Sequence, residues 1–363
     1  MTQREHVLII RFSALGDVAM IVPVVFSLAN AYPNVRFTVL SRKGMRPLFA
    51  NIAPNVGFME ADLKNEYRGV NGLNALYRRL AAKQFTAIAD LHSVLRSNYL
   101  RVRFNIERYK VAHVDKHRAL RRRLTAFENK QMAPLPTMFQ NYADVFARLG
   151  YPVDIRFTSL FPSGGGDISQ LPATLTGIAD TSERHKEPWI GIAPFAAHTG
   201  KMYPLSLMEV VICQLRERMP DARIFLFGGG SAEQATLSAW QAKYEGCKSV
   251  PDHIRGLQKE LILMSKLDVM LTMDSANMHL ASLAGTRCVS IWGATHPFAG
   301  FMGWGQSASD AVQISLPCRP CSIFGNRKCR IGDYPCIRNI APEMIVDKVI
   351  SAINTTRTSI TQQ

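Results

Sequence analysis

The chain has 363 residues, 47% of them hydrophobic and 20% charged, which excludes wholesale disorder and suits about two ordinary domains. No apolar run approaches the ~20 residues of a bilayer crossing, and the N-terminal MTQREHVLII has no signal-peptide pattern. The protein is therefore expected in the cytoplasm, its seven cysteines reduced. Its net charge of +15 is uneven: residues 1–160 hold 24 Lys and Arg against 11 Asp and Glu, and the remainder 19 against 17. A field of that sign favours a polyanionic partner: nucleic acid, an anionic membrane surface or a phosphorylated substrate.

In chain order, 6–11 reads as a short buried strand, 12–17 as a polar turn and 18–31 as a helix. Strands follow at 36–40 and 85–91. Strands alternating with helical stretches argue for parallel βαβ units. The stretch 157–188, with SGGGD and several prolines, lacks periodicity and marks a domain boundary. The pattern then restarts: strand 189–193, helix 205–218, strand 223–227, helix 231–242, strand 269–273, helix 277–284, strand 288–292. A last helix spans 340–353, and the Thr- and Ser-rich tail 354–363 is expected to fray. The expected fold class is α/β, with two Rossmann-like halves and ligands at the carboxyl ends of their strands. The expected domains are residues 1–165 and 185–340, followed by 341–363 as a C-terminal helix and tail.

Four strand-to-helix turns carry polar residues that suit such a ligand site. After the first strand, Ser13-Ala-Leu-Gly-Asp17 has one glycine only, so it is no dinucleotide fingerprint. Asp17 either caps the following helix or serves as a general base, whose ionised form a helix N-terminus favours. In PFAAHTGKMYP, Thr199 and Lys201 precede a helix, and Lys201 is a point-charge partner for phosphate or a solvated surface lysine. Gly228-Gly-Gly-Ser-Ala-Glu233 lets backbone N–H groups approach a ligand, or is only a tight turn. In Met273-Asp-Ser-Ala-Asn-Met-His279, Ser275 opens a helix, a place for a diphosphate, and His279 follows one turn later on the same face. There is no Asp-x-Asp sequence, so diphosphate charge is expected to be met by Lys, His and helix dipoles without a metal ion.

Taken together, the Ser-x-x-Gly-Asp turn, the Lys-x-x-Pro loop, the glycine turn and Met-Asp-Ser-Ala-Asn-Met-His resemble the lipopolysaccharide heptosyltransferases of glycosyltransferase family 9, from about residue 7 to 349. The resemblance implies a GT-B architecture with parallel sheets facing a central cleft. It also implies inverting, metal-independent transfer of a heptose or related sugar from an ADP-linked donor to the lipid A–Kdo inner core. By that resemblance Asp17 is the catalytic base and Lys201, with Thr199 nearby, holds the donor diphosphate. Glu233 contacts the ribose, and Asp274, Ser275, Ala276 and His279 grip donor sugar and phosphates. The 1–165 domain then takes the acceptor and 185–340 the nucleotide sugar. No cofactor is expected.

The densest basic run is His113-Val-Asp-Lys-His-Arg118-Ala-Leu-Arg-Arg-Arg123. It is a solvated face, or it meets an anionic acceptor at the inner face of the inner membrane through Lys116, Arg118, Arg121, Arg122 and Arg123. Peripheral membrane attachment follows from the second reading. A basic nucleic-acid-binding protein is the last-ranked alternative, since no aromatic pattern accompanies the charge. A nucleotide-sugar epimerase of the same fold is the enzyme alternative. Cys318, Cys321, Cys329 and Cys336 lie within nineteen residues, and either stay reduced and buried or hold a structural zinc ion, the less favoured reading.

Overall fold

In the computed structural model, residues 5–50, 52–161, 165–177 and 186–361 are described. Parts of the expected interdomain stretch, 162–164 and 178–185, lie outside these residues. The chain forms two compact units. One comprises residues 1–117 and 136–157, the other 118–135 and 158–363.

The first unit holds β1 (His6–Ile10), β2 (Arg36–Ser41), β3 (Val56–Glu60), β4 (Ala87–Asp90) and β5 (Lys110–His113), all parallel, in the order β3-β2-β1-β4-β5. Val7, Leu8, Ile9 and Ile10 are buried on both faces, as a central parallel strand requires. The chain leaves β1 toward β2 and returns to β4 on its other side, so a topological switch point opens where β1 and β4 end. The helix expected over 18–31 is broken into Leu15–Ala19 and Val22–Ala31. Pro23, in the first turn of the second, has no N–H with which to continue the first.

The second unit holds β6 (Trp189–Ala193), β7 (Arg223–Leu226), β8 (Cys247–Ser249), β9 (Val269–Met273), β10 (Cys288–Ile291) and β11 (Ala311–Val312). These are parallel too, in the order β11-β10-β9-β6-β7-β8, with the switch point between β6 and β9. The helix Leu205–Arg218 packs against the C-terminal helix over a core that includes Ile190, Ile192, Ile212, Leu271 and Val346. That last helix runs Pro342–Thr361, past the point where fraying was expected. Arg357 holds it, pairing with the buried Asp268 at 2.9 Å and donating to the carbonyls of Lys186 and Glu187.

The compact units also divide the chain differently from a cut at 165. Residues 118–135 pack into the second unit, where Arg121 lies over Phe301 at 5.2 Å and over Phe324 at 5.8 Å. Leu135 donates its N–H to the Phe298 carbonyl at 2.8 Å, and Lys130 reaches the Pro320 carbonyl at 3.1 Å. Among the described residues no helix is long and apolar enough to cross a membrane.

Candidate active site

In the first unit the residues following β1 and β4 meet at the switch point. Arg11 directly follows β1 and is buried. Its guanidinium contacts the Asp17 carboxylate at 2.7 Å and donates to the Leu91 carbonyl, just past β4, at 2.6 Å. Burial opposes its charge, but Tyr142, Asp17 and Asp90 outweigh burial and hold its pKa above the ordinary value. Asp17, 29% exposed, also accepts the Ala14 N–H at 3.2 Å. The capping reading is thus realised, and the carboxylate still keeps an exposed face. Asp17 is therefore not isolated: its negative charge is set against a fixed cation.

His92 stands beside this pair. Burial, then the fields of Arg11, Lys116 and Arg42, push its pKa down to about 3, with Asp17 opposing. It is therefore neutral near pH 7. Asp90 accepts the N–H groups of His92 and Ser93, both at 2.9 Å, which fixes the turn, and Lys116 donates to the Ser93 carbonyl at 2.9 Å. Lys116 thus belongs to the first unit, whereas Arg118 and Arg121–Arg123 lie on the helix Arg118–Leu124 of the second. Arg122 and Arg123 are exposed, but Arg121 is half-buried against its aromatic rings. The expected single basic patch is split between the units.

In the second unit, Lys201, Glu233, Asp274 and Thr295 follow the carboxyl ends of β6, β7, β9 and β10, adjacent strands whose ends share one sheet edge. Lys201 ends the short turn Thr199–Lys201, in which Thr199 is exposed. Its ammonium lies 2.9 Å from the carboxylate of Asp274, which is 3% exposed, and the Thr295 hydroxyl donates to the same oxygen at 2.8 Å. Asp274 is therefore turned toward Lys201 and Thr295. Ser275 is the N-cap of the helix Ala276–Leu283. Its hydroxyl does not cap that helix but lies 3.3 Å from the Thr272 hydroxyl. Ala276, whose side chain is a single methyl group, is the first residue of the helix. His279 is buried within the same helix. Glu233 accepts the Gly229 N–H at 2.8 Å, closing the loop on itself. At Gly230 the backbone has φ +89°, a conformation that favours glycine at this N-cap.

Arg319, between the first two clustered cysteines, organises this edge. Buried, it donates to the carbonyls of Gly293 (2.5 Å), Thr295 (3.0 Å), Trp292 (3.1 Å) and Ile314. Cys321 and Ser322 donate their N–H groups to the Ala294 carbonyl, and Ala294 in turn donates to the Gly200 carbonyl at 2.8 Å. The cysteine-rich segment therefore braces the loop that carries Thr295 and, through it, the Lys201 turn. Burial raises the Cys321 thiol and pushes Cys336 up to about 11, so both are protonated near neutral pH. Among the described residues no group of three or more His, Cys, Asp or Glu is arranged to hold a metal ion. Arg11, His92 and Arg319 are not singled out by the sequence pattern. The signals that could have found them are a cation ending a buried strand and an arginine inside Cys-x-x-Cys.

Residues 73–333 match Glycosyltransferase family 9 (heptosyltransferase). The chain is 24% identical over 132 residues to lipooligosaccharide heptosyltransferase 2 of Campylobacter jejuni serotype O:6, a match that spans 35% of this chain and 40% of that relative. It is 23% identical over 310 residues to the lipopolysaccharide core heptosyltransferase OpsX of Haemophilus influenzae, covering 80% of this chain and 79% of that one. Among solved structures, a family 9 glycosyl transferase from Veillonella parvula is similar with a TM-score of 0.68 and 17% identity, covering 98% and 99% of the two chains. The E. coli ADP-heptose lps heptosyltransferase II gives 0.67 at 17% identity, covering 97% and 99%. These likenesses show the fold, two Rossmann-like α/β units of the GT-B class. The match over 73–333 establishes that the chain belongs to glycosyltransferase family 9, the heptosyltransferases.

Proposed function

We propose that this protein moves a heptose or a related sugar from an ADP-linked donor to a hydroxyl of the lipopolysaccharide inner core, with inversion and without a metal ion. The observation that carries the reading is the Lys201–Asp274–Thr295 cluster at the switch point of the second unit, beside the helix opened by Ser275. A cation held by a buried carboxylate suits a diphosphate whose negative charge grows as the sugar departs. Lys201 and the first N–H groups of the Ser275–Ala276 turn then stabilise the leaving group. Thr199 stands by at the exposed side of the same turn, Glu233 meets the ribose, and His279 supports the turn from within the helix.

Asp17 acts as the base that takes the acceptor proton. Its ion pair with Arg11 keeps the carboxylate ionised and oriented, and its exposed face is the one a hydroxyl can approach. The first unit takes the acceptor and the second the nucleotide sugar. Lys116, Arg118 and Arg121–Arg123 supply cations for acceptor phosphates and carboxylates or for lipid headgroups, with the protein peripheral to the inner face of the inner membrane. The cited relatives, named as heptosyltransferases of lipopolysaccharide or lipooligosaccharide, support this donor and acceptor.

The test is mass spectrometry of products after incubation with ADP-heptose, with and without a deacylated Kdo-type acceptor, in the presence of EDTA. Acceptor-dependent sugar transfer is expected. Isomerised nucleotide sugar without acceptor would instead identify an epimerase, and strict loss of transfer in EDTA would refute the metal-independent step.

A further inference from the structure

Packing of residues 118–135 into the second unit creates a surface from which the proposed function draws only on Arg122. A cavity of about 270 Å³ lies between this segment and the cysteine-rich loop. Four of its lining side chains are cations (Arg122, Arg327, Lys328 and Arg330), and no carboxylate lines it. The nearby Asp333 is already paired with Arg338 at 2.7 Å. Two apolar lining side chains stand open to water, Phe127 60% and Ile331 53% exposed, and Phe324 of the same loop is 48% exposed. Met132 and Leu120 on the same segment are exposed as well. Arg330 lies 5.2 Å from the centre of the Phe127 ring, so cation and apolar ring are presented together.

Large apolar side chains standing in water beside uncompensated cations mark an interaction surface. An anionic bilayer offers both complements at once, phosphates for the cations and an acyl boundary for the rings. A free polyanion would satisfy the cations and leave Phe127 and Ile331 in water. We propose that this face docks the protein on an anionic lipid bilayer, with Phe127 and Ile331 entering the headgroup–acyl boundary and Arg122, Arg327, Lys328 and Arg330 engaging lipid phosphates. The inference deepens the proposed function, resting on its reading that the substrate is held at a membrane.

Co-sedimentation of the full chain with vesicles tests it, using phosphatidylcholine alone and phosphatidylcholine mixed with phosphatidylglycerol. The wild type is expected to bind only the mixed vesicles, and less in high salt. K328E/R330E and F127S/I331S are each expected to weaken that binding by about tenfold or more. Both pairs sit at exposed positions, so melting temperatures are expected to match the wild type. Equal binding by K328E/R330E and wild type would overturn the proposal. So would full retention by F127S/I331S, which would make the contact purely electrostatic, or release by millimolar inorganic phosphate, which would make the cavity a phosphate site. Transfer to a water-soluble deacylated acceptor is expected to be unchanged in K328E/R330E. Absent transfer in every protein, with vesicle binding intact, would refute the proposed function and leave the docking face standing.

Discussion

Asp17 and Lys201 illustrate how a single side chain acquires its role from its partners. Each is paired with a buried residue of opposite charge, Arg11 in one case and Asp274 in the other. Asp17→Asn keeps the shape and the contact with the Ala14 N–H but removes the proposed base. Steady-state kinetics are expected to show kcat lower by about 10²–10⁴-fold, with donor affinity by calorimetry unchanged. Lys201→Met is expected to weaken ADP binding and also to cost about 3 kcal/mol of stability in chemical denaturation, because it leaves the Asp274 carboxylate buried without its cation. Asp274→Asn, which still accepts from Thr295, is expected to cost less. Sequence spacing places Asp17, Lys201 and Asp274 on turns past the carboxyl ends of parallel strands, since residues just past such strands gather at one edge. It does not reveal that Asp274 turns to Lys201, because Thr295, which shares its carboxylate, lies 21 residues further on.

At the scale of single elements, β6 and β9 and the helix Leu205–Arg218 are legible to the residue because their apolar runs stop at polar turns. β3, β5 and β8 escape notice: they lie on the flanks of their sheets, where β3 and β5 are only part-buried and β8 is three residues long with two polar ones, so none shows a continuous apolar run. Buried titratable groups on these elements set the response to pH. Burial, with help from Arg36, lowers His6 on β1 to about 4, and His92 past β4 is lowered to about 3. An unfolded chain takes up those protons near pH 6.5, so it binds more protons than the folded one between there and pH 4. Thermal midpoints are therefore expected to fall as pH drops from 7 to 5, and less so in His6→Gln and His92→Gln. In the second unit, burial pushes Cys247 and Cys288 up to about 12, whereas Cys213 is exposed. Maleimide is expected to label Cys213 in the native protein, and Cys247 and Cys288 only after unfolding.

For the whole molecule, the decisive feature is the return of residues 118–135 to the second unit. A fragment spanning 158–363 lacks the ring-stacking Arg121 and the Leu135 hydrogen bond to Phe298. Adding a 118–135 peptide is expected to raise the fragment's melting temperature by several degrees in calorimetry; no change would mean that the segment contributes little to that unit. The amino-acid order alone determined two parallel α/β halves, the turns that carry Asp17, Lys201, Glu233 and Ser275, and the membership suggested by those turns. These follow from local periodicity and from the rule that parallel sheets collect their ligand-binding turns at one edge. Tertiary packing alone decided that Arg11 and Asp274 hold the two key charges, that the cysteine segment serves as a brace through Arg319, and that the basic run is divided between units. Each of those depends on contacts between residues far apart along the chain, which no window of neighbouring residues encodes.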